Sequence, residues 1–335
     1  MKILYLDPYT EEEGLVKKLD SKNEYYFTNY SDVSKIPNAD CIDVVSVFVN
    51  HKVNAAFLSH FPNLKLVVGR STGYDHIDLE ACANRNIRVS NVPRYGSATV
   101  AEYTIALLFA LSKKAYRSYI DLQTNLQDAV IEKYEGFELK GKTLGVIGTG
   151  AIGKHVCEIA LGIGMNILAF DTYPDSNLSS KQKVTYKPLD DLLSESDVVT
   201  IHLPLLPSTT HLLDEAKLRK MKRGSLLINT ARGGIIETKS LVALLKDGHI
   251  AGAALDVLEG ENDLKFESQL LKQTSPDLNV WQNLVANHAL IDMPNVIVTP
   301  HIAFNTVEAK NEITTTTINN ILAFAEGKPI NLATN

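Results

Sequence analysis

The stretch that decides the fold is TLGVIGTGAIG, residues 143–153. It begins with an apolar run that is typical of a buried strand and continues into the helical pattern AIGKHVCEIALG. Glycines at this spacing allow a tight turn, the close approach of backbone N–H groups to a pyrophosphate, and close packing of helix on strand. The alternative is a glycine-rich turn that only packs. We expect a dinucleotide to contact Gly148, Gly150, Ala151, Ile152 and Gly153.

The next apolar run, NILAFD, ends in Asp171, and this residue distinguishes between the two nicotinamide cofactors. A carboxylate about 20 residues beyond the glycine motif can accept hydrogen bonds from both ribose hydroxyls of the adenosine half. The 2′-phosphate of NADP would face this negative charge, and the following TYPD provides no arginine to offset it. The sequence therefore predicts NAD. The alternative role of Asp171 is to cap a turn before Pro174.

Apolar runs alternate with helical patterns along most of the chain, which is typical of an α/β protein with parallel sheets. We expect a long buried helix over Ala101 to Tyr119 and a helix in TTTTINNILAFAEG. The predicted helices between strands are NAAFLSHF, LDDLLSES and ETKSLVALLKDG. The predicted strands, besides the two above, are KILYLD, CIDVVSVF, LKLVVGRS, DVVTIHLP, SLLINTA, AGAALDVL and NVIVTP.

With 335 residues, the chain is longer than one hydrophobic core usually supports, so we expect two doubly wound domains. Only about thirty residues follow Phe304, and their apolar helical face must pack on a domain that is already formed. The chain then leaves a front domain near Gly96 and re-enters it near His301, so that two crossings border one cleft. We predict a substrate domain of residues 1–97 and 302–335 and an inserted NAD-binding domain of residues 98–301.

Composition excludes several classes of function. The net charge of −6 and the lack of a basic cluster among aromatics argue against nucleic acid as a partner. No apolar stretch reaches the roughly 18 to 20 residues that span a membrane. The three cysteines lie far apart, which favours a reducing cytoplasm over a disulfide framework. The histidines have no metal-type spacing, so we expect no metal site.

Polar residues and turn residues collect just beyond the later predicted strands. In an open α/β sheet the ligand lies outside the carboxyl ends of the strands. We therefore expect cofactor contacts from His202, Pro204, Thr209, Thr230, Ala231, Arg232 and Asp256.

Three of the residues near strand ends have the side chains that reduction of a carbonyl by hydride requires. Arg232 offers a planar fork for a carboxylate, His301 can give the carbonyl oxygen a proton near neutral pH, and Glu261 can hold that histidine charged. Taken singly, Arg232 could form a surface ion pair, Glu261 could be merely solvated, and His301 could be a satisfied histidine. Together they predict an acid/base site for a 2-keto or 2-hydroxy acid.

The sequence resembles the D-specific 2-hydroxyacid dehydrogenase family over essentially its whole length. The resemblance is carried, in order, by RSTGYDHID, YGSATVAE, GTGAIG, HLPL, NTARGG, ALDVLEGE and TPHIAF. It implies two Rossmann-like domains, with a coenzyme domain inserted into the substrate domain, and a homodimer formed through the helix near Ala101 to Tyr119. It also implies that Arg232 binds the substrate carboxylate and carbonyl, and that Glu261 pairs with His301, the acid/base.

The resemblance assigns further contacts. Asp256 and Val100 lie near the nicotinamide, and backbone amides around Thr72 and Gly73 hold the substrate carboxylate. Gly260 and Asn262 depart from the residues that many members have around Glu261, which leaves Glu259 as the alternative partner of His301.

Within the family, the chain looks most like the members that form D-lactate. Tyr95 is a substrate-side tyrosine in that group, and Phe48 and Phe304 occupy the positions that wall the substrate side chain. Two large rings leave room for little more than a methyl, so pyruvate is the favoured substrate. Phe48 stands where a tyrosine is common, which leaves larger or different keto acids open: glyoxylate, hydroxypyruvate, 2-ketoisocaproate and phenylpyruvate. A phosphorylated substrate such as phosphoglycerate is disfavoured, because the front domain has no added basic cluster. A dinucleotide-sensing corepressor is the remaining alternative.

Overall fold

The structure is a computed structural model, and it describes residues 1–29, 36–124, 130–181, 183–265, 267 and 277–333. The chain divides into two compact units. The first is formed by residues 1–96 and 305–335, and the second by residues 97–304.

The front part of the first unit alternates strands with short helices. Its described elements are β1 (Lys2–Leu6), α1 (Glu12–Leu19), β2 (Glu24–Thr28), β3 (Val44–Val47), α2 (Ala55–Ser59), β4 (Leu66–Gly69), α3 (Leu79–Ala83) and β5 (Arg88–Ser90). The strands form one parallel sheet in the order β2-β1-β3-β4-β5. Strands β3 and β4 are fully buried, as expected of a parallel sheet with both faces covered.

The second unit repeats this architecture with a larger sheet. Among the described residues its sheet has the order β12-β11-β10-β9-β6-β7-β8, with every neighbouring pair parallel. Its elements are α4 (Ser97–Ser112), α5 (Ala115–Thr124), β6 (Thr143–Ile147), α6 (Ala151–Gly162), β7 (Asn166–Phe170), α7 (Ser176–Lys181), β8 (Val184–Tyr186), α8 (Leu189–Glu195), β9 (Val198–Ile201), α9 (Glu215–Leu218), β10 (Ser225–Asn229), α10 (Thr238–Lys246), β11 (Ile250–Leu255), α11 (Glu261–Lys265), α12 (Leu278–Asp292) and β12 (Val296–Val298).

The last helix, α13 (Val307–Ala325), belongs to the first unit. Its Ile318 and Ile321 are buried with Ile3, Tyr5 and Val68 in one apolar cluster of the front sheet. The prediction that this helix packs on a core formed earlier in the chain is confirmed.

Strand order reverses direction at the first strand of each sheet. Strand β1 lies between β2 and β3, and β6 lies between β7 and β9. The crevice beyond the carboxyl ends of the strands at such a reversal is the usual ligand site of a doubly wound fold. The predicted fold class, two parallel α/β units, is confirmed.

One predicted helix is wrong, because the structure interrupts it. The single helix expected over Ala101 to Tyr119 is two helices, α4 and α5, because the chain turns at Lys114, where φ is +49°. A left-handed residue cannot continue a right-handed helix. The short strands β2, β5 and β8 were not predicted.

Candidate active site

The glycine motif forms the turn between β6 and α6. Gly148 has a φ of +93°, and a Cβ on it would lie 2.5 Å from the His202 carbonyl oxygen. A Cβ on Gly153 would lie 2.0 Å from the Gly148 carbonyl oxygen, so helix and turn touch backbone to backbone. At Gly150, by contrast, no described atom lies within 4 Å of an added Cβ. The turn therefore has an open face at the helix N-terminus, which fits a pyrophosphate.

Asp171 is held against this turn by three hydrogen bonds. Its Oδ2 accepts from the backbone N–H of Thr149 at 2.6 Å and from the Thr149 hydroxyl at 3.0 Å. Its Oδ1 accepts from the N–H of Tyr173 at 2.9 Å, so Asp171 also makes the turn that was its alternative role. The basic residue that follows the motif, Lys154, is engaged by Asp175 at 2.5 Å. A fixed carboxylate at this position fits the adenosine ribose of NAD.

The end of β9 supplies His202, Pro204 and Thr209. The Nε2 of His202 lies 3.0 Å from the Thr200 hydroxyl. Burial lowers the pKa of His202 to about 3, so the ring is neutral near neutral pH. The Thr209 hydroxyl donates to the Pro204 carbonyl at 2.7 Å and accepts from the Leu206 N–H at 2.8 Å. Thr209 is half-buried and its hydroxyl closes the turn.

Helix α4 is tied to the end of β10 by two threonines. The hydroxyls of Thr104 and Thr230 lie 2.8 Å apart in a buried contact, and Thr104 also donates to the Val100 carbonyl at 2.8 Å. Val100 is therefore held beside the strand end that carries Thr230. Thr104 was missed in the sequence, where its only signal is a hydroxyl within the apolar stretch AEYTIALLFAL.

Arg232 opens a short 3-10 turn, Gly233–Ile235, after β10. Asn229 fixes this corner: its Oδ1 accepts from the Ala231 N–H at 3.0 Å and its Nδ2 donates to the Arg232 carbonyl at 2.9 Å. The Arg232 guanidinium donates to the Ala231 carbonyl at 2.8 Å and is half-buried. The sequence already places Asn229 in the polar series NTARGG at the end of a buried strand, which is a signal for a site residue.

His301 follows β12 and pairs with Glu261 at the start of α11. The Nδ1 of His301 lies 2.8 Å from Glu261 Oε1, with both side chains largely buried. The histidine backbone is left-handed, with a φ of +57°. Because Nδ1 faces the carboxylate, Nε2 is the ring nitrogen that is directed away from Glu261.

Asp256 holds the segment that carries His301. Its carboxylate accepts from the Thr299 hydroxyl at 2.6 Å and from the N–H groups of Ile302 and Ala303 at 2.9 and 2.8 Å. Its carbonyl accepts from the His301 N–H at 2.9 Å. Burial raises the pKa of Asp256. The Asp256 carboxylate is thus bonded to the backbone and side chains of the turn that carries His301. Its contact with the nicotinamide stays a prediction.

Glu259, the alternative partner of His301, pairs with another histidine. Its Oε1 lies 2.7 Å from the Nε2 of His211, and its Oε2 accepts from the Thr238 hydroxyl at 2.8 Å. Glu261 is therefore the carboxylate that faces His301, as the family pattern implies.

The remaining predicted substrate residues lie at strand ends of the first unit, except Phe304, which ends the second unit. Phe48 follows β3 and makes an edge contact with the Tyr9 ring, with centroids 6.0 Å apart. After β4, the Thr72 hydroxyl donates to the Val92 carbonyl at 3.0 Å and the Gly73 carbonyl accepts from Ser71 at 2.7 Å. Tyr95 follows β5. The positions fit a substrate domain, and their roles stay predictions.

Within the described part of the chain, no group of three or more His, Cys, Asp or Glu side chains could hold a metal ion. The same residues contain no helix that is both long and apolar enough to cross a membrane.

The glycine turn, the acidic residue on the next strand and the His–Glu pair define a nicotinamide-dependent dehydrogenase. The chain belongs to the D-isomer specific 2-hydroxyacid dehydrogenase family, because the model of that family's NAD binding domain matches residues 105–303. The predicted family, enzyme class and cofactor NAD are thereby confirmed.

Similarities to individual proteins and structures support the same family. The chain is 39% identical to 2-hydroxyacid dehydrogenase homolog 1 of Schizosaccharomyces pombe, over 86% of this chain and 84% of that protein. It is 36% identical to D-lactate dehydrogenase of Escherichia coli, over 87% and 85% of the two chains. A crystal structure of D-lactate dehydrogenase from Aquifex aeolicus, complexed with NAD and lactic acid, is similar with a TM-score of 0.85 and 33% identity, over 97% of this chain and 96% of that one.

Proposed function

We propose that the protein reduces pyruvate to D-lactate, with His301 as the acid/base. The observation that carries the proposal is the 2.8 Å contact between His301 Nδ1 and Glu261, in the same unit as the NAD turn and the Arg232 loop. A histidine bound to a carboxylate through Nδ1 presents Nε2 as the group that exchanges a proton.

The reaction needs one proton and one hydride. When bound, NADH supplies the hydride that adds to C2 of the keto acid. The protonated His301 gives its Nε2 proton to the carbonyl oxygen, so that the C=O π bond is replaced by a C–H and an O–H bond. Glu261 stabilises the charged ring before the transfer, and Arg232 binds the substrate carboxylate through its guanidinium fork. Oxidation of the hydroxy acid reverses these steps.

We propose pyruvate because of the aromatic residues. Phe48 and Phe304 restrict the substrate side chain to about a methyl group, while the amides of Thr72 and Gly73 hold the carboxylate and Tyr95 contacts the substrate. The experiment is NADH oxidation across a panel of keto acids: pyruvate, glyoxylate, hydroxypyruvate, 2-ketoisocaproate and phenylpyruvate. Pyruvate should give the highest kcat/KM. A preference for a branched or aromatic acid would contradict the size limit, and silence on every acid would favour a dinucleotide-sensing corepressor.

One observation favours hydroxypyruvate as a second candidate. The Tyr9 hydroxyl is buried beside Phe48 and has no hydrogen-bond partner among the described residues. A buried hydroxyl without a partner costs free energy, and a substrate hydroxyl can satisfy it. Tyr9→Phe should lower kcat/KM for hydroxypyruvate relative to pyruvate if the two hydroxyls meet, and an unchanged ratio would eliminate this candidate.

We also propose a cytoplasmic homodimer that forms through α4 and α5. The support is a group of exposed apolar side chains on and after these helices: Phe109, Tyr116, Tyr119, Leu122, Val130 and Ile131. A cavity of about 580 Å³ lies beside these helices and is lined in part by Tyr116, Tyr134 and Phe137. Exposed apolar groups of this kind mark protein interfaces. Sedimentation equilibrium tests the dimer, and fractionation of cells tests the compartment, which the three free cysteines favour.

A further inference from the structure

The second unit contains two glutamates, two residues apart, that each bind a histidine. Glu261 faces His301, and Glu259 faces His211. The proposed function uses the first pair and leaves the second without a role.

Glu259 is anchored at every polar atom of its side chain. His211 Nε2 lies 2.7 Å from Oε1, and Oε2 accepts from the hydroxyl of Thr238 at 2.8 Å. The Glu259 carbonyl also accepts from the buried side chain of Asn287, at 2.9 Å. These partners come from the loop after β9, from α10 and from α12. The Glu259 carboxylate thus bonds to two separate elements and its backbone carbonyl to a third, two positions before Glu261.

The same segment supports the Arg232 loop. A Cβ on Gly233 would lie 2.0 Å from the Leu258 carbonyl carbon and 2.3 Å from the Glu259 nitrogen, so the two backbones are in direct contact. His211 completes the arrangement, because its N–H donates to the Gly234 carbonyl at 2.9 Å and its φ is +49°. A shift of Glu259 would therefore displace both the carboxylate that faces His301 and the loop that carries Arg232.

We propose that Glu259, held by His211 and Thr238, is a positioning residue that sets the place of Glu261 relative to His301 and of the Arg232 loop. It does not touch the reacting atoms. Its effect on turnover follows because misplacement of a catalytic group by about 1 Å can cost about 10²-fold in rate. The effect on the reaction rests on the proposed function, whereas the effect on His301 itself does not.

The test therefore begins with the histidine rather than with turnover. In Glu259→Ala, Glu261 is held less firmly against His301, so NMR of labelled histidine should show a changed chemical shift of His301 Nδ1, the nitrogen that lies 2.8 Å from the Glu261 carboxylate. The acidic groups that face this ring are Glu261 and, from the end of β11, Asp256, and both remain in the variant. The His301 resonance is assigned from its loss in His301→Gln.

Activity provides the second measurement. We expect kcat for keto-acid reduction in Glu259→Ala to fall by about 10-fold to 10²-fold, with a higher KM for the keto acid and an unchanged dissociation constant for NADH. Glu259→Gln retains an acceptor for Thr238 and should bring kcat and KM for the keto acid most of the way back to the wild-type values. If Glu259→Ala does not fold, Thr238→Val removes one anchor and should move the His301 Nδ1 chemical shift in the same direction by less.

Glu158→Ala is the matched control, because it removes a carboxylate from another histidine, His155, on the surface of α6. It should leave the His301 Nδ1 chemical shift and kcat unchanged. The proposal is overturned if Glu259→Ala folds and shows the wild-type His301 Nδ1 chemical shift, whatever its thermal stability. If the chemical shift changes while neither protein reduces any keto acid, the positioning role stands and the proposed function fails.

Discussion

The two units contain the same strand–turn–helix motif at the reversal point of their sheets, and they use it in opposite ways. In the second unit the turn between β6 and α6 is built of glycines, and the first helical turn, AIG, contains no carboxylate. In the first unit the helix after β1 begins with Glu12 and Glu13. A helix N-terminus stabilises negative charge, and each unit provides that charge from a different source.

In the first unit the charge belongs to the protein. Glu12 is 4% exposed, and it accepts from the Tyr9 N–H at 2.9 Å, from Arg70 at 3.0 Å and from Thr314 at 2.8 Å. Tyr5 also hydrogen-bonds to it, and the buried Arg70 guanidinium lies 4.2 Å from the centre of the Tyr5 ring. The space beyond β1 is therefore filled by a buried ion pair of the protein itself.

In the second unit the corresponding space stays open at Gly150. The doubly wound fold alone therefore does not make a cofactor site. The site arises where no carboxylate of the protein fills the turn and the anion has to come from a ligand.

The largest effect should come from adding one carbon to the open turn. Gly153→Ala places a Cβ where the Gly148 carbonyl lies, so we expect NADH binding to be lost, as measured by quenching of protein fluorescence or by calorimetry.

The matched control is in the other unit. Gly14 lies in α1 with no described atom within 4 Å of an added Cβ, so Gly14→Ala should bind NADH normally. It should also stabilise the protein by up to about 1 kcal/mol, because alanine is the better helix former. Normal NADH binding by Gly153→Ala would show that the backbone contact between Gly153 and Gly148 is not needed for the cofactor site.

The next largest effect should be on the stability of the filled turn. Glu12→Ala leaves the Arg70 charge buried without its partner, and we expect the free energy of unfolding in urea to fall by about 3 to 5 kcal/mol. NADH binding by the folded variant should keep its wild-type dissociation constant. Glu13→Ala, which removes an exposed carboxylate 3.7 Å from Lys17, should change stability by less than about 0.5 kcal/mol. Equal losses in the two variants would show that the buried pair has no special role.

A third variant tests whether the chemistry belongs to the unit with the open turn. We expect His301→Gln to lower kcat for keto-acid reduction by about 10²-fold or more while NADH still binds, because no group remains at Nε2 to give the proton. His60→Gln, at the exposed end of α2 in the first unit, is the control and should keep the wild-type kcat. Near-normal turnover by His301→Gln would remove the histidine from the mechanism.

The open turn was predictable from the sequence, and the filled turn was not. Three glycines at fixed spacing dictate a local backbone, and the same holds for the buried strands β3, β4, β9 and β10. The Arg70–Glu12 pair joins residues 58 positions apart, and nothing local to LKLVVGRS indicates that its arginine is buried. The half-exposed edge strand β2 is equally weak as a pattern.

In the candidate site, too, one feature was predictable from the sequence and another was not. The pairing of Glu261 with His301 followed from the family pattern, whereas Glu259 and His211 could be matched only once the loops after β9 and β11 were seen together. The break at Lys114 shows another limit, because a left-handed residue other than glycine leaves the apolar periodicity of a helix intact.

The last effect, which is absent at neutral pH, concerns the pH dependence of stability around the open turn, where the His202 carbonyl lies against Gly148. Burial lowers the pKa of His202 from 6.5 to about 3, so between these values the unfolded chain binds a proton that the folded protein does not. Stability from this residue is therefore complete above pH 6.5 and is lost as the pH falls towards 3. We expect the ratio of the unfolding constants of wild type and His202→Gln to rise by up to about tenfold per pH unit on acidification. Urea unfolding at pH 7, 6, 5 and 4 measures it, with His60→Gln as an exposed control that should follow the wild type more closely. If the free energies of unfolding of wild type and His202→Gln change with pH in parallel, water reaches this ring in the folded protein. The end of β9 would then be less closed beside the open turn than its backbone contacts indicate.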